Sequence, residues 1–384
     1  MARGRAGARE RMLERRRTTG RVLASAAAVA AGVALCTAAG SPRPAPAARD
    51  DHRPPGRAFT LLATGDVIPY PSIVDQARAD AGGEGYDFRK IFAGARPAVA
   101  AADLAVCHLE TPFGAPEGPF TGYPVFSVPP QLAGALRDTG YDSCSTASNH
   151  ALDGGTDGVR RTLAALDEAG VAHAGTGRTR GEAARPALLR AGGARVAHLS
   201  YTAFSNLEPP GGETWAVNRL DPRRIAADAC AARRAGADVV VVSLHWGTEW
   251  QREPDRRQLR LAERLTRSAT AGRKDIDLVL GTHNHVPQAY EKLHGTWVVY
   301  GLGDQVASFV PGLDRGNEGS AARFTFTPRG GRWTVTRAEF LAQRSDQGPP
   351  FRLVPASADV RERVSDAVLS RGAGADGLRP AADG

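Results

Sequence analysis

The stretch Leu278–Gln288, LVLGTHNHVPQ, closes a short apolar run with a glycine and follows it with two histidines two residues apart, His283 and His285. In an extended segment that spacing sets both imidazoles on one face, because strand side chains alternate with period two. Two neutral imidazoles on one face suit a metal ion; two solvated loop histidines are the plainer alternative. Four other apolar runs end in the same manner, where a strand should give way to a loop, at Asp66, Glu110, Asn149-His150 and His245. Asp66, Glu110, Asn149, His245, His283 and His285 offer only oxygen and nitrogen donors, a mixture that suits divalent ions such as Mn, Fe or Zn. Six ligands exceed what one structural zinc takes. They fit a pair of ions, the arrangement that spans about 3.5–4 Å and clamps the attacking and leaving oxygens of a displacement. Ordinary readings stand beside this one: Asp66 as a helix N-cap, and Glu110, just before Thr111-Pro112, as a solvated carboxylate.

The elements that must position these groups alternate. Short apolar runs at Phe59–Ala63, Leu104–His108, Tyr141–Thr146, Arg195–Tyr201, Val239–Leu244, Leu278–Leu280 and Trp297–Tyr300 read as strands. Between them, Gln131–Thr139, Asp157–Ala169, Arg224–Ala235 and Asp255–Ala271 carry apolar stripes at helical spacing, two of them closed by Gly170 and Gly236. Tyr123–Pro130 forms an extended lip. Arg323–Thr327 and Trp333–Phe340 flank Pro328-Arg329-Gly330-Gly331 as a hairpin. Continuous apolar strands imply sheets covered on both faces, and in such folds ligands gather beyond the carboxyl ends of the strands. Past Ala356 the chain turns polar, with a helix at Ala358–Leu369 and a loose tail expected.

The formal charge of +8 is a local feature: ten arginines and three acids lie in residues 1–50, leaving 39 basic against 38 acidic residues in the rest. A nearly neutral body without a basic stripe argues against nucleic acid as the partner. An Arg-rich segment to Arg21, an apolar run Val22–Ala39 and a Pro/Ala-rich exit describe an export signal over residues 1–40, or a retained anchor of about membrane-spanning length. Either places the bulk of the chain outside, extracellular or on the outer face of the cytoplasmic membrane. Residues 41–57 read as a disordered linker, residues 58–356 as the folded domain and residues 357–384 as the tail. Cys36 in Val-Ala-Leu-Cys follows a bulky Leu35, which argues against lipidation. Cys107, Cys144 and Cys230 form no Cys-x-x-Cys and read as inert buried residues; a Cys107–Cys144 bridge requires their strands to be neighbours.

Six motifs occur in one order between Phe59 and Phe309: Thr64-Gly65-Asp66, Leu109-Glu110-Thr111-Pro112, Ser148-Asn149-His150-Ala151-Leu152-Asp153, His245-Trp246-Gly247-Thr248-Glu249, Gly281-Thr282-His283-Asn284-His285 and Tyr300-Gly301-Leu302-Gly303-Asp304. As a set they resemble the CapA family of poly-γ-glutamate capsule synthesis proteins, within the calcineurin-like metallophosphoesterases. The resemblance implies a four-layer α/β/β/α sandwich with two central mixed sheets. It implies that Asp66 and His285 hold one divalent ion, that Asn149, His245 and His283 hold the other, and that Glu110 bridges. His150, with Asp153, would act above the ions as proton donor or phosphate contact, or else be simply a histidine bonded to Asp153. Trp246, Glu249 and Asp304 would line the substrate pocket, Asp304 replacing a usual Asn and either adding a negative ligand or bonding the backbone.

Three further departures stand out beside Asp304: Ile68 where the phosphoesterases carry an imidazole, which would weaken the first ion position; Ser148 for a frequent Asn; and His108 for the Asn common before Leu-Glu. The reading that follows is an exported protein with a phosphatase-type metal site, acting on an anionic polymer or phosphoester in capsule or poly-γ-glutamate biosynthesis or export, beside the membrane and capsule-synthesis partner proteins. The alternatives are a general metal-dependent phosphoesterase and a non-enzymatic polymer-binding scaffold.

Overall fold

The computed structural model describes residues 56–309 and 313–382. The expected export segment, Cys36 and all but the last two residues of the expected linker lie outside the described residues. In chain order the strands are β1 Phe59–Val67, β2 Leu104–Leu109, β3 Ser143–Ser145, β4 Ala172–Ala174, β5 Ala187–Ala191, β6 Ala194–Thr202, β7 Val239–His245, β8 Ala269–Thr270, β9 Arg273–Lys274, β10 Leu278–Thr282, β11 Tyr290–Leu293, β12 Thr296–Val299, β13 Asp304–Val306, β14 Glu318–Arg329, β15 Arg332–Asp346, β16 Arg352–Pro355 and β17 Leu378–Pro380. The helices are α1 Pro71–Asp80, α2 Arg96–Ala100, α3 Gln131–Thr139, α4 Gly155–Ala169, α5 Arg180–Ala183, α6 Pro222–Arg234, α7 Arg256–Thr266 and α8 Ala358–Leu369.

One mixed sheet runs β16-β15-β14-β1-β2-β3-β4, with β13 beside the end of β1 and β17 beside β15; the second runs β11-β12-β10-β7-β6-β5. Period-two alternation explains how they stack. Leu61, Ala63 and Val106 face Val239, Val241, Leu278 and Leu280 across an inter-sheet core, while Leu62 and Ala105 turn outward to Leu132, Leu136, Leu163 and Leu166 of α3 and α4. Val240 and Val242 turn to Ile225, Ala229, Ala262 and Leu265 of α6 and α7. The result is the expected α/β/β/α order of layers. Every central strand is buried on both faces, which is why these runs are mostly apolar, and each such Val or Leu contributes roughly 1.5–3 kcal/mol; β6 is the exception, with His198 buried between Ser143 and Ser243.

Local chemistry sets several joints. Asp255 caps α7 in a reciprocal box with Gln258, and Gly330-Gly331, at φ +55° and +74°, turn β14 into β15. The region after β1, for which periodicity offered no assignment, holds α1 and α2. The tail is not loose: Val360, Val364 and Val368 of α8 sit in the inter-sheet core, and β17 pairs in parallel with β15 at Ala338↔Leu378. A short apolar anchor, Leu378, suffices to seat a segment whose composition reads as polar.

The cysteines also depart from expectation. Strands β2 and β3 are parallel neighbours with Cys107 opposite Cys144, and the two form a disulfide with Cα atoms 4.5 Å apart. Only the strand order could reveal that adjacency. Cys230 is buried and unbridged.

Candidate metal centre

The donors converge where the carboxyl ends of the central strands of both sheets meet. On the first sheet, β1 delivers Asp66, β2 delivers His108 and then Glu110, and the loop after β3 delivers Asn149 and His150. On the second, β7 ends in His245 and the loop after β10 supplies His283 and His285, while Asp304 opens β13 beside β1 on the first sheet. Strand β1 runs through Asp66 to Val67, with a register shift between Ala63 and Asp66. Gly65 permits this: a Cβ there would lie 1.7 Å from the Gly303 carbonyl oxygen, which accepts from the Asp66 N–H at 3.0 Å. Asp66 is thereby a strand residue paired with Asp304, not an N-cap. Glu110 is buried at 1% exposure, not solvated.

The histidine pair reaches the cluster by a different backbone from the extended one expected. Strand β10 stops at Thr282, and His283 and His285 adopt φ +94° and +57°. Left-handed conformations cost non-glycine residues about 1–3 kcal/mol each, so the surrounding packing must hold them. The His283 N–H donates to Asp66 Oδ2 at 3.1 Å, tying the loop of one sheet to the strand of the other. The two rings lie 6.1 Å apart between centroids.

Around Asp66, His285 Nδ1 and Asp304 Oδ1 pair at 3.0 Å, leaving His285 Nε2 for other partners, and these three residues place ligand atoms within 4.8 Å of one another. Around Glu110, His245 and His283 do the same. His245 Nε2 lies 2.8 Å from Asn149 Oδ1 and 3.8 Å from Glu110 Oε1. Two ligands at about 2.1 Å from one ion and at right angles would stand about 3.0 Å apart, so the Asn149–His245 spacing fits a shared ion. Asp66 Oδ1, both Glu110 oxygens, His108 Nε2, His283 Nδ1 and Asp304 Oδ2 are buried without hydrogen-bond partners. Buried polar atoms are ordinarily paired, and partnerless carboxylate oxygens facing imidazole nitrogens are the donor set a divalent cation satisfies.

Electrostatics agree with that fit. Burial, then Asp304, pushes Asp66 up to about 8, and burial, then Asp66, raises Glu110 well above the carboxylate range. Burial, then neighbouring imidazoles, lowers His108 and His283 to about 3 and His245 well below its ordinary value. Neutral imidazoles are what a metal binds. For His285, burial opposes the charge, but Asp304 and then Glu110 outweigh it and raise the pKa.

His150 Nδ1 pairs with Asp153 Oδ2 at 2.7 Å, which also accepts the Phe126 N–H; Nε2 lies 3.5 Å from Asn206 Nδ2. The bonded reading and a working reading of His150 are therefore compatible, since the bond orients the ring. Glu249, exposed, places its carboxylate beside His283 and His285. Trp246 does not line the pocket: it is 2% exposed, packs among the α6/α7 core and donates from Nε1 to the Tyr300 carbonyl. Alternation sends it to the face opposite His245. The wall is built instead by Trp250, 5.4 Å from the His285 ring, Phe309 against Trp250, Tyr70 against Phe126 and Phe309, and Phe204 against His283. These aromatics lie in separate loops, and no sequence spacing links them. His108 did carry a readable signal, standing two residues before Glu110.

The family model for the bacterial capsule synthesis protein PGA_cap matches residues 60–308. A probable polyglutamine synthesis accessory protein of Mycobacterium tuberculosis is 32% identical over 225 residues, covering 54% of this chain and 57% of that protein. The PGA biosynthesis protein CapA of Bacillus subtilis is 28% identical over 209 residues, covering 52% and 51%. The chain thus spans about half the length of the curated relatives it matches. Among solved structures, the calcineurin-like phosphoesterase YfkN of Bacillus subtilis aligns at 15% identity and TM-score 0.42, over 81% of this chain and 96% of that one. With its family match running from β1 to Ser308, across every strand exit that supplies a donor, the chain belongs to the bacterial capsule synthesis (PGA_cap) family.

Proposed function

We propose that this protein acts in capsule or poly-γ-glutamate assembly on the outer side of the cytoplasmic membrane, through a two-ion phosphatase-type centre working on an anionic polymer or phosphoester. The observation that carries the reading is the convergence of partnerless buried carboxylate oxygens and imidazole nitrogens from Asp66, Glu110 and His283 at the joined strand ends. Asp66 and His285, with Asp304, would hold one ion; Asn149, His245 and His283 the other; Glu110 would lie between. Bound there, divalent ions would polarise a phosphoryl oxygen and lower the pKa of water.

The chain's own groups supply the rest. Asp153 fixes the His150 ring by its Nδ1, so Nε2 is the atom that would pass a proton to a leaving oxygen. The rings of Tyr70, Phe126, Trp250 and Phe309 exclude water from one side. The placement outside the membrane rests on the Arg-rich and apolar start of the sequence; among the described residues no helix is long and apolar enough to cross a bilayer.

The test uses the purified full chain: bound metal per chain, turnover of p-nitrophenyl phosphate, and binding of γ-linked glutamate oligomers. Two equivalents of metal with glutamate-oligomer binding support the proposal. Turnover without oligomer binding would assign a general phosphoesterase, and neither metal nor turnover would leave a polymer-binding scaffold.

A further inference from the structure

His108 is an imidazole at the centre that neither ion position above uses and that, unlike His150, has so far been given no role. It is 2% exposed, on the inter-sheet face of β2, its ring stacked on that of His245 at 4.8 Å between centroids. Its Nδ1 lies 2.7 Å from Ser145 Oγ, and Ser145 Oγ donates to the Cys107 carbonyl at 3.3 Å. A hydroxyl has one proton. With that proton given to Cys107, Ser145 accepts from His108 Nδ1–H, and the lone pair of the neutral ring is on Nε2. That atom has no hydrogen-bond partner, nor has Asp66 Oδ1, and the two face each other at 3.5 Å. With Asp66 ionised, two lone-pair atoms so placed repel unless a cation lies between them. Two ligands about 2.1 Å from one ion at the tetrahedral angle stand about 3.4 Å apart, which matches.

We propose that His108 Nε2 is a direct ligand of the ion held by Asp66, supplying from β2 the imidazole that Ile68 does not supply from β1. This inference rests on the two-ion reading above. Asp66, His108 and His245 bring ligand atoms within 4.8 Å of one another, and the 3.9 Å from His245 Nδ1 to Asp66 Oδ1 closes the group. The register Cys107↔Cys144, His108↔Ser145 holds the ring: the disulfide fastens the helix-facing pair directly before the inward-facing pair that sets the tautomer. The first ion position is then not deficient in nitrogen donors, although the motif that normally provides one is broken.

The test is His108→Asn in the full chain, stripped with chelator and titrated with Co(II) alone, following stoichiometry and visible absorption. An Asn side chain ends near the place of Nδ1, so it keeps the Ser145 bond and loses only the donor at Nε2. The expected result is wild type binding two Co(II) and His108→Asn binding one of them at least about tenfold more weakly with altered absorption. His108→Gln, long enough to reach the place of Nε2, should recover part of the loss; a purely structural role at Ser145 would show no such recovery. Unchanged Co(II) affinity and absorption in His108→Asn, with two equivalents in the wild type, would overturn this inference and leave the two-ion centre standing. A wild type that binds no Co(II) would overturn both.

Discussion

Removing divalent ions and raising the pH from 6.5 to 8 should destabilise this fold, and the sign follows from its buried groups. Asp66 is fully buried and pushed up to about 8, by burial first and then by Asp304, whereas an unfolded chain releases that proton near pH 3.9. Between those values the folded state holds a proton the unfolded state has lost, so stability falls as pH rises. Glu110 and His285, both raised, act in the same direction across this window. His108, His245 and His283, all lowered, are neutral in the folded state while unfolded imidazoles titrate near pH 6.5, so they oppose the carboxylates in the lower part of this window and add little slope above about pH 7.5.

Asp66 alone should account for roughly 1.5–2 kcal/mol between pH 6.5 and 8, at about 1.36 kcal/mol per unit, tapering as the pH nears its own pKa. For a domain of about 330 residues that is a fall in Tm of about 3 °C. A cation keeps Asp66 ionised in the folded state and removes the loss. Urea denaturation at pH 6.5, 7.2 and 8, with chelator or with Mn(II) or Zn(II), measures both curves. Stability in chelator that stays flat or rises over this range would refute the reasoning, as would an Asp66→Asn variant with an unchanged slope.

Other outcomes follow from the same structure. His245→Ala should release more bound metal than His285→Ala, because the His245 ring borders both donor groups, while Asp66, Asp304 and His108 remain to hold an ion without His285; equal loss by metal analysis would contradict the ligand assignment. Reduction of Cys107–Cys144, which are 37 residues apart in sequence, should cost about 4 kcal/mol by the chain-entropy relation, so a midpoint in urea unmoved by reductant would count against the bridge. Gly65→Ala should destabilise by at least about 3 kcal/mol and lower metal binding together, since its Cβ would collide with the Gly303 carbonyl; a well-folded variant with full metal content would show that β1 can shift there without consequence.

The alternation of apolar runs with helical stripes determined the order of β1, β2, β3, β6, β7 and β10, because strands buried on both faces must be apolar throughout. The donors at their exits were legible because a buried strand keeps a polar side chain in its interior only where partners satisfy it, as Ser143 and Ser243 satisfy His198 within β6. Tertiary structure decided what spacing cannot encode. Strand order made Cys107 and Cys144 neighbours, and a single buried leucine seated β17. Left-handed backbone, not strand alternation, turned His283 and His285 toward the cluster. Alternation at the end of β7 put Trp246 in the core and left the wall to Trp250. The function of His108 depends on Ser145 of one neighbouring strand and Asp66 of another. Periodicity reports which face a residue takes, whereas a ligand set is a matter of distances between chain segments far apart in sequence, and those exist only once the two sheets have packed.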